Sequence, residues 1–353
     1  MAKVIVGMSG GVDSSAAALL LKEAGYDVVG VTLRTWSSQA YSRCCEIDDA
    51  RAVARKLGIP FHALNCVSPF QRQVLEPFAD CYFHGLTPNP CVACNRFVKW
   101  DRMLHTAALL GADYVATGHY ASLVRLDNGR YSVRQAADER KDQTYMLCRL
   151  TQEQLARTLL PLGGYTKEEI RALANHAGLP AAQKPDSQEI CFVTEGDYGD
   201  YLERAFLQEV PGEGNFVDRD GTVLGRHRGI HHYTVGQRRG LGLSLGRPVY
   251  VNRIRARENE VVVGDAALLY RREILCRRLH FMGLPDLPPG DPVRARVKIR
   301  YHHEGEEGIL TREGPDLIRV SFVRPVRAPA PGQAAVFYDE DRSVLGCGEI
   351  APV

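Results

Sequence analysis

Val4-Ile5-Val6-Gly7-Met8-Ser9-Gly10-Gly11-Val12-Asp13-Ser14-Ser15 decides the reading of this chain. A short apolar run of β-formers reads as a buried strand, and it breaks at a Ser-Gly-Gly turn. Ala16 to Lys22 follows with strong helix formers, and Gly25 stands just past their end. Strand, glycine turn and helix N-terminus together make an anion site. Paired glycines let the backbone come close, unpaired N–H groups point at the ligand, and the helix dipole favours negative charge. Ser9, Ser14 and Ser15 add hydroxyl donors, so the loop is expected to bind phosphate.

The kinase-type P-loop is excluded because no Lys follows Gly11, and the dinucleotide fingerprint is excluded because the glycines fall at 7, 10 and 11. Ser-Gly-Gly-Val-Asp-Ser-Ser after a strand resembles instead the PP-loop of ATP pyrophosphatases, which split ATP between the α- and β-phosphates. An ordinary glycine turn would not need seven matching residues in that strand–turn–helix setting.

Outward from the loop, 353 residues predict two or three domains, and 45% hydrophobic with 24% charged residues describe a globular chain. The net charge of +2 carries no global polyanion signal. No apolar run reaches the length of a membrane span and no secretory leader is apparent, so a cytoplasmic protein with no membrane contact is expected. Ten cysteines in such a chain point to metal binding or catalysis more than to disulfides.

Over roughly the first 200 residues, strands alternate with helices. Asp27–Leu33 and Phe61–Leu64 read as strands, Ile47–Leu57 as an amphipathic helix, and Ala112–Ala116 as a strand ending in the Thr117-Gly118-His119 turn. That alternation predicts an α/β fold, a parallel sheet with ligands beyond the C-terminal strand ends. From about 205 the pattern changes to short strands, glycines and arginines. Arg226 to Arg257 holds eight arginines and no Asp or Glu, with His227, His231, His232, Tyr233 and Tyr250 interleaved. Charge with stacking capacity suits an RNA backbone. After Pro289 the chain reads as a small antiparallel barrel: 293–301, 308–312, 317–323, 334–338 and 343–346. The expected boundaries are 1–204, 205–270 and 271–353.

Three further motifs carry chemistry. Thr87-Pro88-Asn89-Pro90-Cys91-Val92-Ala93-Cys94-Asn95-Arg96 reads as a proline-stiffened loop with a C-x-x-C pair. Lys141-Asp142-Gln143-Thr144-Tyr145 is a polar cluster entering a helix, and Lys184 to Phe192 is a loop ending on Cys191. A C-x-x-C pair is also half of a structural zinc site, and Cys191 is the residue able to meet it in space. Cys44 and Cys45 are adjacent and poorly suited to joint ligation, while Cys66, Cys81, Cys148, Cys276 and Cys347 sit in apolar settings expected to hold inert thiols.

Taken together, the PP-loop, the Asn-Pro-x-x-x-Cys-Asn segment, Thr-Gly-His-Tyr-Ala, Lys-Asp-Gln, Asp-Ser-Gln-x-Ile-Cys-Phe, Tyr-Thr-Val-Gly-Gln-Arg-Arg-Gly-Leu-Gly and Ile-Arg-Tyr resemble, in order, the bacterial tRNA-specific 2-thiouridylases. The resemblance spans nearly the whole chain. It implies an N-terminal PP-loop domain, a small central tRNA-contacting domain and a C-terminal β-barrel. It also implies an enzyme that adenylates O2 of the wobble uridine in tRNA and replaces it with sulfur. ATP and Mg²⁺ are the implied cofactors, and tRNA and a sulfur-donor protein the implied partners. Gly7, Met8, Ser9, Gly10, Gly11, Val12, Asp13 and Ser14 match the ATP loop, with Asp13 toward Mg²⁺. Gly118 matches a nucleotide-contacting glycine, and Leu33 falls where relatives usually show Met against adenine. Cys94 matches the nucleophile and Cys191 the persulfide carrier. Asn89, Pro90, Cys91, Lys141, Asp142, Gln143, Arg300 and Tyr301 match segments around the target base, and Arg238 and Arg239 belong to the basic stretch.

Cys91 is a departure, because many relatives carry Asp there. Cys91, Cys94 and Cys191 are therefore able to ligate a [4Fe-4S] cluster with one open iron, as an alternative to a persulfide relay. All three are expected on loops converging beside the PP-loop. Two other classes compete: an ammonia-using PP-loop synthetase, which needs neither paired cysteines nor a basic domain, and a non-catalytic RNA-binding protein, against which the intact loop weighs.

Overall fold

The computed structural model describes residues 1–35, 47–184, 190–193, 196–206 and 210–352. Cys44, Cys45 and the Pro185–Glu189 part of the fourth motif lie outside the described residues.

The opening run forms β1 (Lys3–Gly7), followed by β2 (Asp27–Arg34), β3 (Phe61–Asn65) and β4 (Tyr114–Thr117). A hairpin of β5 (Ala121–Arg125) and β6 (Tyr131–Gln135) comes next, then the two-residue β7 (Thr158–Leu159). The sheet order is β3-β2-β1-β4-β7, parallel throughout. Alternate β1 residues feed different cores. Val4 and Val6 pack with Ala17 and Leu21 of helix Val12–Glu23, whereas Ile5 packs with Phe70, Trp100 and Met103. Both faces are covered, which is why these strands read as continuous apolar runs. Chain order reverses between β1 and β4, and at such a switch point the C-terminal strand ends leave a crevice. Gly7 and Thr117, paired in register, sit at its floor.

The central part is a mixed four-stranded sheet, β10-β11-β8-β9, from β8 (Gly214–Val217), β9 (Val223–His227), β10 (Tyr250–Arg255) and β11 (Glu260–Gly264). Its aromatic interior corrects one sequence reading: His227, His231, His232 and Tyr233 are buried and take no part in stacking at the surface. Phe216 and Tyr233 pack edge to face at 5.1 Å instead.

The C-terminal part is a closed antiparallel barrel, β12-β15-β14-β13-β16-β17, one strand more than the pattern predicts. The extra strand is the longest, β12 (Tyr270–Phe281), followed by β13 (Val293–Lys298), β14 (Glu306–Gly314), β15 (Leu317–Arg327), β16 (Ala334–Tyr338) and β17 (Val344–Ile350). Register shifts at Arg271/Glu273 and Arg277/His280 break the two-residue period of β12, and four arginines hide its short inward run of Ile274 and Cys276. The barrel packs directly on the first sheet. Tyr338 and Val344 belong to the same core as Trp100 and Tyr145, and Tyr145 Oη donates to Ala334 O at 2.8 Å. No helix among the described residues is long and apolar enough to cross a membrane.

Candidate active site

The crevice above Gly7 and Thr117 opens into a cavity of about 330 Å³. Its phosphate end is the Ser9–Ser14 loop. Gly10 adopts φ +77°, a left-handed conformation that glycine takes without strain, and Gly11 caps the helix with extended backbone and no side-chain acceptor. The first N–H groups of the helix are therefore left for an anion. Ser14 Oγ accepts from Ser9 N–H at 3.1 Å and Ser15 Oγ donates to Gly11 O at 2.8 Å, so the hydroxyls tie the loop into one shape.

Gly118 has no room for a side chain. A Cβ there would fall 2.6 Å from both Asp13 C and Ser14 N, so β4's turn presses directly on the phosphate loop. Asp13, read in the sequence as a Mg²⁺ ligand, accepts from Lys167 Nζ at 2.6 and 2.8 Å and from Tyr120 Oη at 2.8 Å. Lys167 is 5% exposed. Sequence reasoning missed it, since nothing near Thr166-Lys167-Glu168-Glu169 signals more than a capping box. Tyr120 and His119 stood inside a quoted motif without a role. Thr117 Oγ1 lies 2.7 Å from His119 Nδ1, and Gln143 holds Tyr120 from both sides, through N–H to Tyr120 O at 2.8 Å and Oε1 from Tyr120 N–H at 3.0 Å.

At the other end, Cys94 and Cys191 line the same cavity, with Lys99, Lys141 and Tyr301. The C-x-x-C segment is not the expected loop. Asn89 Oδ1 accepts from Cys91 N–H at 3.1 Å and Val92 N–H at 3.3 Å, and Pro90 occupies the first helical position, so residues Pro90–Cys94 start a helix. A π-helical stretch, Asn95–Lys99, continues it. Cys94 and Lys99 face the cavity, whereas Cys91 is not among its lining residues. Cys91 is close enough to Tyr301 to raise its pKa. Burial first, then Asp142 and Cys91, push that phenol up to about 12, so it stays a hydrogen-bond donor at neutral pH. Burial and the neighbouring Cys191 push Tyr201 to about 12 in the same way. None of Cys91, Cys94 and Cys191 is in a disulfide.

The remaining expected residues divide by exposure. Leu33 lines the cavity at the end of β2. Asp142 is 4% exposed and points inward, accepting from Thr144 Oγ1 at 2.8 Å with Lys298 Nζ at 3.9 Å. Arg300 is at the surface, donating to Arg327 O at 3.0 Å. Acids from outside the basic stretch neutralise half of its arginines: Arg226 pairs with Glu213, Arg228 with Asp197 and Asp200, Arg247 with Asp265 and Arg255 with Glu260. Arg238 and Arg239 sit exposed on a turn between Gly236 (φ +94°) and Gly240 (φ +75°).

A parallel sheet whose switch-point loop is Ser-Gly-Gly-Val-Asp-Ser, capped by a nucleotide-sized cavity, defines a PP-loop nucleotide-binding enzyme. Residues 2–195 match the tRNA methyl transferase HUP domain, 200–265 the tRNA methyl transferase PRC-barrel domain and 271–350 the aminomethyltransferase beta-barrel domain. Curated relatives agree over almost the full length. A tRNA-specific 2-thiouridylase of Lachnoclostridium phytofermentans is 49% identical over 99% of both chains. That of Acetivibrio thermocellus is 48% identical over 98% of both, and that of Carboxydothermus hydrogenoformans 48% identical over 99% of this chain and 97% of its own. The chain belongs to the tRNA-specific 2-thiouridylase family.

Proposed function

We propose that this enzyme adenylates O2 of the wobble uridine, position 34, of a tRNA and then replaces that oxygen with sulfur through a persulfide relay between Cys191 and Cys94. One observation carries the reading: both cysteines line the cavity that the phosphate loop closes. The family models speak of methyl transfer, but paired thiols facing a phosphate site suit sulfur transfer onto a carbon whose oxygen has been adenylated.

The N–H groups at the start of helix Val12–Glu23, with Ser9 and Ser14, would hold the phosphates of ATP. Uridine O2 attacks the α-phosphorus, and the bond to the β-phosphate oxygen breaks to release pyrophosphate. Loss of O2 as AMP is now easy, where loss of the bare oxygen was not. The terminal sulfur of a persulfide on Cys191 attacks C2 and AMP leaves. Cys94 thiolate then attacks Cys191 Sγ. The S–S electron pair stays with the sulfur on C2, giving 2-thiouridine and a Cys94–Cys191 disulfide that an external dithiol reduces. Lys99 and Lys141 line the same cavity. Tyr301, kept protonated, is a donor for the base. Asp13 gives both oxygens to Lys167, so no step is assigned to a Mg²⁺ ion there. In the alternative, Cys91, Cys94 and Cys191 would hold a [4Fe-4S] cluster, whose open iron would supply hydrosulfide. The relay needs only Cys94 and Cys191, the two thiols that line the cavity.

The test is reconstitution: full-length protein, tRNA transcript, ATP and a persulfide-charged donor protein, with nucleosides read by mass spectrometry. 2-Thiouridine with one pyrophosphate per thiolation is expected. Thiolation without pyrophosphate release, or pyrophosphate release with no sulfur incorporated, overturns the scheme.

A further inference from the structure

A second cluster of chemistry-bearing side chains lies away from the cavity, where helix Tyr198–Ala205 meets the 3-10 turn Ile230–His232. The ligand atoms of Glu203, His231 and His232 all lie within 4.8 Å of one another. Glu203 Oε1 is 2.7 Å from His232 Nε2 and 3.5 Å from His231 Nε2. His231 is fully buried, and Glu203 Oε1, 3.5 Å from Nε2 and poorly aligned for a hydrogen bond, is the nearest acceptor its ring has among the described residues. A neutral imidazole always carries one N–H and one lone pair, and a buried pair of such groups left unsatisfied is destabilising. The Phe83 ring edge-on at 6.1 Å and the His232 ring at 4.1 Å hold the imidazole in place, but neither satisfies its nitrogens.

The surrounding backbone is cleared for both rings. A Cβ on Gly199 would fall 2.1 Å from His232 Nδ1, and one on Gly229 would fall 2.4 Å from His231 Cε1. Glu203 is the half-exposed member, its side chain 43% accessible, and it gives an ion a way in from solvent. Behind His232, Asp197 Oδ1 lies 3.8 Å from Nδ1, on the ring edge away from Glu203. At that distance it makes no hydrogen bond to the ring, and Nδ1 has no hydrogen-bond partner among the described residues. The neighbouring Asp197–Asp200–His232 group is a weaker candidate, because Arg228 donates to both carboxylates at 3.0 Å and offsets their charge.

We propose that Glu203, His231 and His232 bind one Zn²⁺ ion, which takes the place of the proton now shared between His232 and Glu203 and leaves a fourth position for water. Two imidazoles and one carboxylate are a zinc donor set, whereas Mg²⁺ and Ca²⁺ prefer oxygen throughout. The ion links helix Tyr198–Ala205, which follows the first family match and packs Leu202 into the core beneath the first sheet, to the turn preceding the Arg238–Arg239 loop, and so holds that loop against the helix.

The test is Zn²⁺ titration of full-length, chelator-dialysed protein against a chromophoric competitor, with thermal unfolding in parallel. One tight site per chain is expected, with melting temperature raised by Zn²⁺. It should persist in Cys94→Ser and weaken more than about tenfold in Glu203→Gln, a half-exposed change that keeps side-chain volume. His231→Gln should abolish it, and the Glu203→Gln result decides if that buried variant does not fold. The Co²⁺ form should show visible d–d bands but lack the near-ultraviolet thiolate charge-transfer band. No stoichiometric Zn²⁺, or Zn²⁺ lost in Cys94→Ser and kept in Glu203→Gln, overturns the proposal.

Discussion

Lys167 Nζ lies 2.6 Å from Asp13 Oδ1 and 2.8 Å from Oδ2, joining residues 154 positions apart in the chain. The lysine stands at the first turn of helix Lys167–His176, and its ammonium also lies 5.9 Å from the centre of the Tyr120 ring. Lys167 is thus a positioning residue for the phosphate loop. Lys167→Met should lower pyrophosphate release about 10- to 100-fold, the worth of a charge-assisted hydrogen bond of roughly 1.5–3 kcal/mol. Affinity for tRNA should stay within about twofold of wild type, a change of about 0.4 kcal/mol. Unchanged ATP turnover would remove Lys167 from the site.

Gly118→Ala tests the close approach of the two loops. Its Cβ would meet backbone atoms of Asp13 and Ser14 at 2.6 Å, and backbone cannot rotate away as a side chain can. Overpacking of this kind costs about 1–3 kcal/mol. A fall in melting temperature together with loss of ATP binding by calorimetry is expected. Gly164→Ala, at a glycine that like Gly118 lacks a positive φ but has nothing within 4 Å, provides the control for the substitution without the clash.

The three thiols separate by position. Cys94→Ser and Cys191→Ser should each abolish thiolation while sparing adenylation, measured as pyrophosphate release. Cys91→Ser should keep most of the activity, since Cys91 lies outside the cavity lining. Equal loss from all three, with iron and acid-labile sulfide in anaerobically purified protein, would replace the relay with the cluster.

Salt dependence tests the RNA surface. Arg238 and Arg239 are exposed, whereas Arg247 is paired with Asp265 at 2.7 Å. Each phosphate contact contributes about 0.7–0.9 to the slope of log K against log salt, so Arg238→Ala with Arg239→Ala should reduce it by between about 1 and 2. Arg247→Ala should change it by less than half as much. Equal slopes in wild type and the double variant would place the RNA elsewhere.

Asp138 gives a pH dependence. Burial alone would raise its pKa, but the N–H groups of Lys167 and Arg140 outweigh that and hold it below the usual carboxylate value. A depressed folded pKa means stability that is full above the unfolded value, about 4, and lost as pH falls through the lower folded one. Asp138→Asn should therefore destabilise at pH 7, by about 1 kcal/mol for a carboxylate at a helix N-terminus, and have little effect below the folded pKa. Urea denaturation at both ends of that range provides the measurement. An equal loss at both pH values would make the contribution one of shape rather than charge.

By itself, the sequence determined the phosphate loop, the parallel sheet around it, the barrel and the family, because these rest on local signals. Turn glycines, apolar runs and short-range spacing are written into contiguous residues, and Ile47–Leu57 and Ala334–Tyr338 emerge with the predicted bounds. Tertiary structure decided what depends on partners distant in the chain. Local spacing carried no sign that Lys167 would reach Asp13, or that Cys94 and not Cys91 would face the cavity after Asn89 and Pro90 turned a presumed loop into a helix. It also gave eight arginines without acids an appearance of bare charge, which Asp197, Asp200, Glu213, Glu260 and Asp265 halve from outside the stretch. The physical reason is common to all three. Backbone preference acts within a few residues, whereas charge pairing and burial act through space and are fixed only when the sheets and barrel pack.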